Sequence, residues 1–395
     1  SYHVVVGSGT GSSAVLDGFA ITGGQANGSA AAKQHEGGGF FAAGGSPALR
    51  NLSFVGNIAE EGGAMTLVAS SNPDISNTWF GSNAAGLYGG ALHNEGSNPT
   101  LTNVLFSGNR AAVGGGAIYN QTSSPELTNV TIAGNVAGGT VSRASVTPAG
   151  VLVTPLGGGI FNFTGSKPEI RNSVIWNNED STGTGTASAS IRNVDTGSTP
   201  SANYSDIQGL ASIGGLIFDG TSIDDDPLFV APVSPGSAPN FGGDYRVKGL
   251  SPVIDQGENS FNSLPTDLRG QPRSQGAAID MGAFEATPAP QVALHKSVSS
   301  PTVEVGETVT YTYEVVNTVP VTATAPGGSQ VYEAATAQVD LQVGTLVAVT
   351  KTASVASAEV GATVDYTYEV KNIGSETITI TQATDDKLGA VAGLS

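Results

Sequence analysis

Five segments of this sequence open on a proline and share one pattern: PALRN at Pro47, PDISN at Pro73, PTLTN at Pro99, PELTN at Pro125 and PEIRN at Pro168. The spacings are 26, 26, 26 and 43 residues, the last being one period plus a 17-residue insertion around Thr140 to Leu156. A unit this short cannot bury an apolar face alone, so successive units must stack into a solenoid whose equivalent positions form columns. Two columns are asparagine throughout: Asn51, Asn77, Asn103, Asn129 and Asn172, and then Asn57, Asn83, Asn109, Asn135 and Asn178. Both are expected to bond along the stack as ladders, because an amide both donates and accepts. Between them run two apolar columns, Leu49, Ile75, Leu101, Leu127 and Ile170, and Phe54, Phe80, Phe106, Ile132 and Ile175, which are the expected core.

The second half of each unit carries a glycine pair before an apolar residue, in GGAM at Gly62, GGAL at Gly89, GGAI at Gly115 and GGIF at Gly158. Glycine there allows positive φ or close approach of coils. LDGFAITGG from Leu16 and GGGFF from Gly37 read as earlier copies of the unit. Parallel strands joined by such crossovers are right-handed. The expectation is an all-β chain: a right-handed parallel β-helix of about seven to nine coils over residues 1–287, stacked at the usual strand spacing.

Composition narrows the function classes. With 55 glycines and 12% charged residues the chain favours tight turns and short strands over amphipathic helices. A net charge of −18 argues against nucleic acid and anionic membranes as partners. The absence of cysteine excludes disulfides and thiolate metal sites. No apolar stretch reaches transmembrane length, so no membrane insertion is expected, and a start at Ser1 without methionine suggests processing or trimming.

From Tyr204 to Glu285 the sequence reads YSDIQG, DDDPLF, GGDYRV, LSPVIDQGENS, LPTDLRGQPR and AIDMGAFE in order. This series resembles the choice-of-anchor Q domain of bacterial surface proteins. With LDGFAITGG and the GGGAIYN-type coils, it is similar to the polymorphic outer-membrane-type β-helix repeat family. The resemblance implies display outside the cell on a variable anchor and no particular activity. After ATPAP at Ala286, the segments from His295 and Thr350 align at an offset of 55 residues, with Lys296 on Lys351, Gly306 on Gly361 and Asn317 on Asn372. Both resemble conserved-repeat, immunoglobulin-like surface modules, over 288–346 and 347–395. The second stops at Ser395 and is expected to be incomplete. A neighbouring subunit could complete it by strand addition from Tyr2, His3, Val4, Val5 and Val6, giving a head-to-tail homopolymer; a simple truncation is the alternative. Lys296 and Lys351, with Asp385, Glu314 and Glu369, resemble the residues of modules that form internal isopeptide bonds.

No catalytic, metal-binding or cofactor-binding residue is expected. The regular coils show no carboxylate cluster, Asp224, Asp225 and Asp226 read as a turn, and Asp267, Arg269 and Arg273 read as an internal ion pair. His3, His35, His93 and His295 show no metal-ligand spacing. Tyr88, Tyr119 and Trp79 read as packing residues, with a sugar-stacking strip as the alternative. Asn120-Gln-Thr and Asn162-Phe-Thr are glycosylation sequons. The function expected is structural: a subunit of an extracellular filament or surface layer. The alternatives are an adhesin binding surface glycans or a polysaccharide lyase or hydrolase, and a groove lined by two or more carboxylates would favour the enzyme.

Overall fold

The computed structural model describes residues 2–138 and 156–286, together with the backbone of strands between 292 and 391. The chain divides into two compact units, Ser1–Pro288 and Ala289–Ser395. No helix among the described residues is long and apolar enough to cross a membrane.

The first unit is the expected right-handed parallel β-helix. Three parallel sheets run along its axis. The first holds seven strands, from Val5–Val6 through Phe40–Ala43, Met65–Val68, Leu92–Glu95, Ile118–Gln121 and Ile160–Phe163 to Ile191–Asn193. The second stacks eight strands in its main path, from Val15–Asp17 to Ile217–Phe218, and so counts eight coils. The third includes Ile58–Glu61, Ala84–Tyr88 and Arg110–Ala111. The register follows the repeat: Leu101 lies opposite Ile75 and Leu127, and Phe106 opposite Phe80 and Ile132. Both apolar columns are buried without exception, and Phe54, Phe80 and Phe106 stack face to face at centroid separations of 4.9 and 4.7 Å. The insertion at Thr140 lies outside the described residues.

The glycine pairs divide their work. Gly89 takes a left-handed φ of 63°, while a Cβ on Gly90 would collide with the carbonyl oxygen of Gly116 in the next coil. Neither position tolerates a side chain.

The two asparagine columns differ. Asn57, Asn83, Asn109, Asn135 and Asn178 are wholly buried and form a continuous ladder. In each step a backbone N–H donates to the next side-chain Oδ1 at 3.0 Å. The same Oδ1 accepts from the preceding Nδ2, and each Nδ2 also donates to a main-chain carbonyl such as Phe54 O or Phe80 O, both at 2.9 Å. The ladder therefore satisfies turn backbone that no strand reaches. The other column is not a ladder. Asn51, Asn77, Asn103, Asn129 and Asn172 have left-handed φ between 47° and 56°, a conformation asparagine tolerates better than most residues, and they bend each second-sheet strand into two halves. Of their side chains only Asn103 and Asn77 bond to each other, at 3.2 Å, and Asn51 turns instead to Asp17. The corner points these amides away from the stack, which corrects the expectation of a second ladder. Two further polar columns escaped the sequence reading. Asn94, Asn120, Asn162 and Asn193 join by Nδ2 to Oδ1 hydrogen bonds of 2.8–2.9 Å, and Ser71, Ser97, Ser123, Ser166 and Ser198 accept backbone N–H groups coil by coil. Asn120 and Asn162 are thus buried and committed, which removes both sequons as glycan acceptors in the folded chain.

The outward corners have a partner. The chain beyond Tyr204 folds back along the second sheet as a strap, and successive corners bond to it four residues apart. Asn172 exchanges bonds with the main chain of Glu258, Asn129 donates to Asn262 Oδ1 at 3.0 Å, and Asn103 donates to Thr266 O at 2.6 Å. Beneath it Leu105, Ala133, Val174, Phe229, Tyr245, Val253 and Met281 form a second apolar core. Arg273, buried, donates to Asn103 Oδ1 at 2.7 Å and Gly282 O at 2.9 Å, and faces Glu285 at 3.5 Å. Asp267 pairs with Arg269 at 2.9 Å, so LPTDLRGQPR holds one internal pair and Arg273 takes a different partner.

Val5–Val6 pairs in parallel with Phe40–Phe41, and the ring of His3 lies 3.0 Å from Gly37 O and stacks on Phe41. The segment Tyr2 to Val6 is therefore placed against its own first coil, as the terminal strand of the first sheet. In the second unit, Val292–Val298, Val309–Asn317, Val364–Asn372 and Val347–Ala353 form one antiparallel sheet in that order. Thr312 lies opposite Thr367, its equivalent at the 55-residue offset, so the two copies meet through the same strand. Lys296 and Lys351 fall on this sheet and Asp385 on a separate three-stranded one. Their side chains lie outside the described residues, as do those of Glu314 and Glu369.

Substituting Asn109→Ala strands the backbone N–H of Asn83 and the carbonyl of Phe80 in the interior. At about 1–3 kcal/mol for each buried group left unpaired, the loss should be about 3–5 kcal/mol. Asn51→Gly, at an exposed corner that suits glycine, should shift stability by less than about 0.5 kcal/mol. Denaturant unfolding of both variants reads the difference, and equal losses would remove the distinction between the two columns.

Candidate functional site

Strand alternation decides which first-sheet residues face outward. Leu92, Ile118 and Ile160 point into the core, so their neighbours His93, Tyr119 and Phe161 stack on the outer face, followed by a second row of Glu95, Gln121 and Phe163. Beside these rows runs a third column at the end of the third sheet, where Glu36 pairs with Glu61, Glu61 with Tyr88 and Tyr88 with Gly114. Gly114 leaves room for the ring of Phe161, which a Cβ there would meet at 2.8 Å. The columns enclose a cleft of about 620 Å3, lined also by Lys33, His35, Leu87, Val113 and Val194.

One wall is aromatic. Tyr88 and Tyr119 lie 4.5 Å apart between centroids, Tyr119 and Phe161 5.4 Å, and His93 meets Tyr119 edge-on at 5.0 Å. The other end is charged. A short loop after Ala30–Ala32 brings Lys33, His35 and Glu36 against the next coil, where His35 O accepts from Glu60 N at 2.8 Å. Lys33 Nζ binds Glu36 Oε1 at 2.8 Å, His35 Nε2 lies 3.5 Å from the same oxygen, and His93 Nδ1 lies 3.4 Å from Glu61 Oε2. Burial, reinforced by Glu36, raises the Glu61 carboxyl to about 7, and burial lowers His93 to about 4. Between those two values both groups are mostly neutral.

The structure thus corrects two expectations. Glu36 and Glu61 do meet as a carboxylate pair, with Glu95 lining the same cleft, and His35 and His93 line it together. Tyr119 is 4% exposed and packs between Tyr88 and Phe161, as the packing reading expects. Trp79 lies elsewhere, stacked on Phe241 beneath the strap with its Nε1 donating to Ser107 at 2.9 Å. The missed signal was the stacking: residues about one period apart, such as Glu36 and Glu61, become neighbours in adjacent coils. Asp226 accepts the N–H of Leu228, as a turn requires, Asp224 accepts from the more distant Gly209, and Asp225 N donates to the buried Asp206. A second groove of about 880 Å3 lies where the strap ends, between Phe19, Asn51 and Asn77 on the coils and Arg246, Arg269 and Phe284 on the strap segment.

Glu61 supplies a pH test. Its carboxyl keeps its proton to about 7 when folded, against a reference of 4.5, so the folded state holds the proton more tightly and stability falls as pH rises between those values. Glu61→Gln, which stays neutral, should melt increasingly above the parent chain from pH 4.5 to 8. Melting temperatures across that range check it; a constant difference would show that Glu61 ionises normally.

The family profile described as the Chlamydia polymorphic membrane protein repeat matches residues 103–121, from the corner at Asn103 through the first-sheet strand that carries Tyr119. No curated protein and no solved structure gives a significant match to the chain.

Proposed function

We propose that this chain is a surface-displayed protein that recognises carbohydrate through the cleft on the first sheet of its β-helix. Display is supported by the match to a membrane-protein repeat and by a self-satisfied solenoid whose polar ladders leave little backbone to attack. Recognition rests on one observation: the Tyr88, Tyr119 and Phe161 row standing beside Glu36, Glu61 and Glu95 in one cleft. Aromatic faces take the C–H face of a sugar ring, and carboxyl groups fix its hydroxyls, which is the usual division of labour in a ligand pocket. The chain's charge of −18 and the three glutamates select neutral or amino sugars and disfavour polyuronates.

Glu36 and Glu61 offer carboxylate oxygens within 4.8 Å of each other, too close for the roughly 6.5–9.5 Å of an inverting glycosidase but near the roughly 5 Å of a retaining one, so a hydrolase is the competing reading of the same cleft. The expected result is binding of neutral or amino-sugar oligosaccharides on a glycan array, weakened at least about tenfold by Tyr88→Ala, at a position that is half-buried like Phe161. Release of reducing ends from a bound glycan would turn the reading to a hydrolase, and no binding to any glycan would end it.

Head-to-tail assembly is a second reading. It is supported by the exposed apolar side chains Val4, Val6, Val15 and Phe19 along the first coil. Regular filaments by negative-stain electron microscopy, lost in a Val6→Lys, Val15→Lys double variant, are the expected outcome. Monomers at every concentration would oppose it.

A further inference from the structure

We propose that His35, Glu36 and Glu61, at the charged end of the cleft beside His93, form a binding site for a divalent transition metal of the zinc class. These three residues each offer one ligand atom, all within 4.8 Å of one another. His93 borders the set, its Nδ1 3.4 Å from Glu61 Oε2. Ligands of a tetrahedral zinc stand about 3.3–3.6 Å apart, given bonds of about 2.0–2.2 Å, so closure needs side-chain shifts of about 1 Å.

The independent sign of a ligand is the unmet bonding of buried groups. Glu36 is 2% exposed, yet its Oε2 accepts no hydrogen bond. His93 is 3% exposed and neither ring nitrogen has a hydrogen-bond partner, although the ring lines the cleft. His35 Nδ1 is likewise unpartnered. A buried polar atom without a partner is costly, and here several belong to residues lining one end of the cleft. An imidazole with two carboxylates suits zinc and its first-row neighbours; calcium prefers an all-oxygen shell.

Lys33 is the opposing group, since its ammonium already sits on Glu36 Oε1. Its side chain is 47% exposed, so it can swing into solvent when a metal arrives. This gives a discriminating variant: removing Lys33 should tighten metal binding, whereas a structural ion pair predicts no gain.

The test is calorimetric titration of the chelator-treated full chain with Zn2+, and with Ca2+ for contrast, in the absence of any sugar. The expected result is one Zn2+ per chain, weakened at least about tenfold by His35→Ala or Glu61→Gln and tightened several-fold by Lys33→Ala, with Ca2+ bound far more weakly. Far-UV circular dichroism confirms that each variant is folded. Failure to take up stoichiometric Zn2+, or uptake unchanged by His35→Ala and Glu61→Gln in folded protein, would overturn the site. Because no sugar is present, loss of glycan binding alone would leave this result standing.

Discussion

The main-chain hydrogen bond between one coil and the next is the constraint from which the rest follows. It fixes the separation of coils, forces equivalent residues into line and leaves the turns as the places where backbone groups lack partners. The Asn57 to Asn178 ladder answers that deficit, each amide supplying the acceptor that the preceding turn needs. The stacked phenylalanines beside it fill the volume that the ladder encloses. Substitution is restricted inside the columns and comparatively free between them, and the cleft is built from those freer outward positions.

The core was legible because period and burial coincide: Leu101 and Phe106 recur in the sequence and recur in space. The roles of the two asparagine columns were not. Repetition marks a position as constrained but does not distinguish a ladder, held by side-chain bonds, from a corner, held by φ. The cleft was hidden for another reason. Glu36 comes from an irregular loop, and Tyr88 and Tyr119 occupy different columns, so no period connects them until the sheets are folded around one another. The spacing of the histidines in sequence gave no sign of His93, because its burial depends on neighbours contributed by other coils.

The segment from Tyr204 to Glu285 reads in sequence as an irregular end to the repeat, and its acts as a cover. It seals the outward half of the second sheet with Phe229, Tyr245 and Met281 and anchors Arg273 on Asn103. Its own conformation is held by close-range pairs such as Asp267 with Arg269. The second unit applies a related economy, with both copies of the 55-residue repeat presenting the same strand to each other.

The four-residue step of the strap along Asn172, Asn129 and Asn103 couples two lengths that evolve by different means. Coils multiply by duplication of whole repeats, whereas the strap lengthens by small insertions. A coil gained between Asn103 and Asn172 would throw the two out of step unless four strap residues were gained with it. A coil gained before Asn77 would meet no such requirement. The strap is in effect a tally of the coils beneath it, and size variation in proteins built on this plan should accumulate at the untallied end.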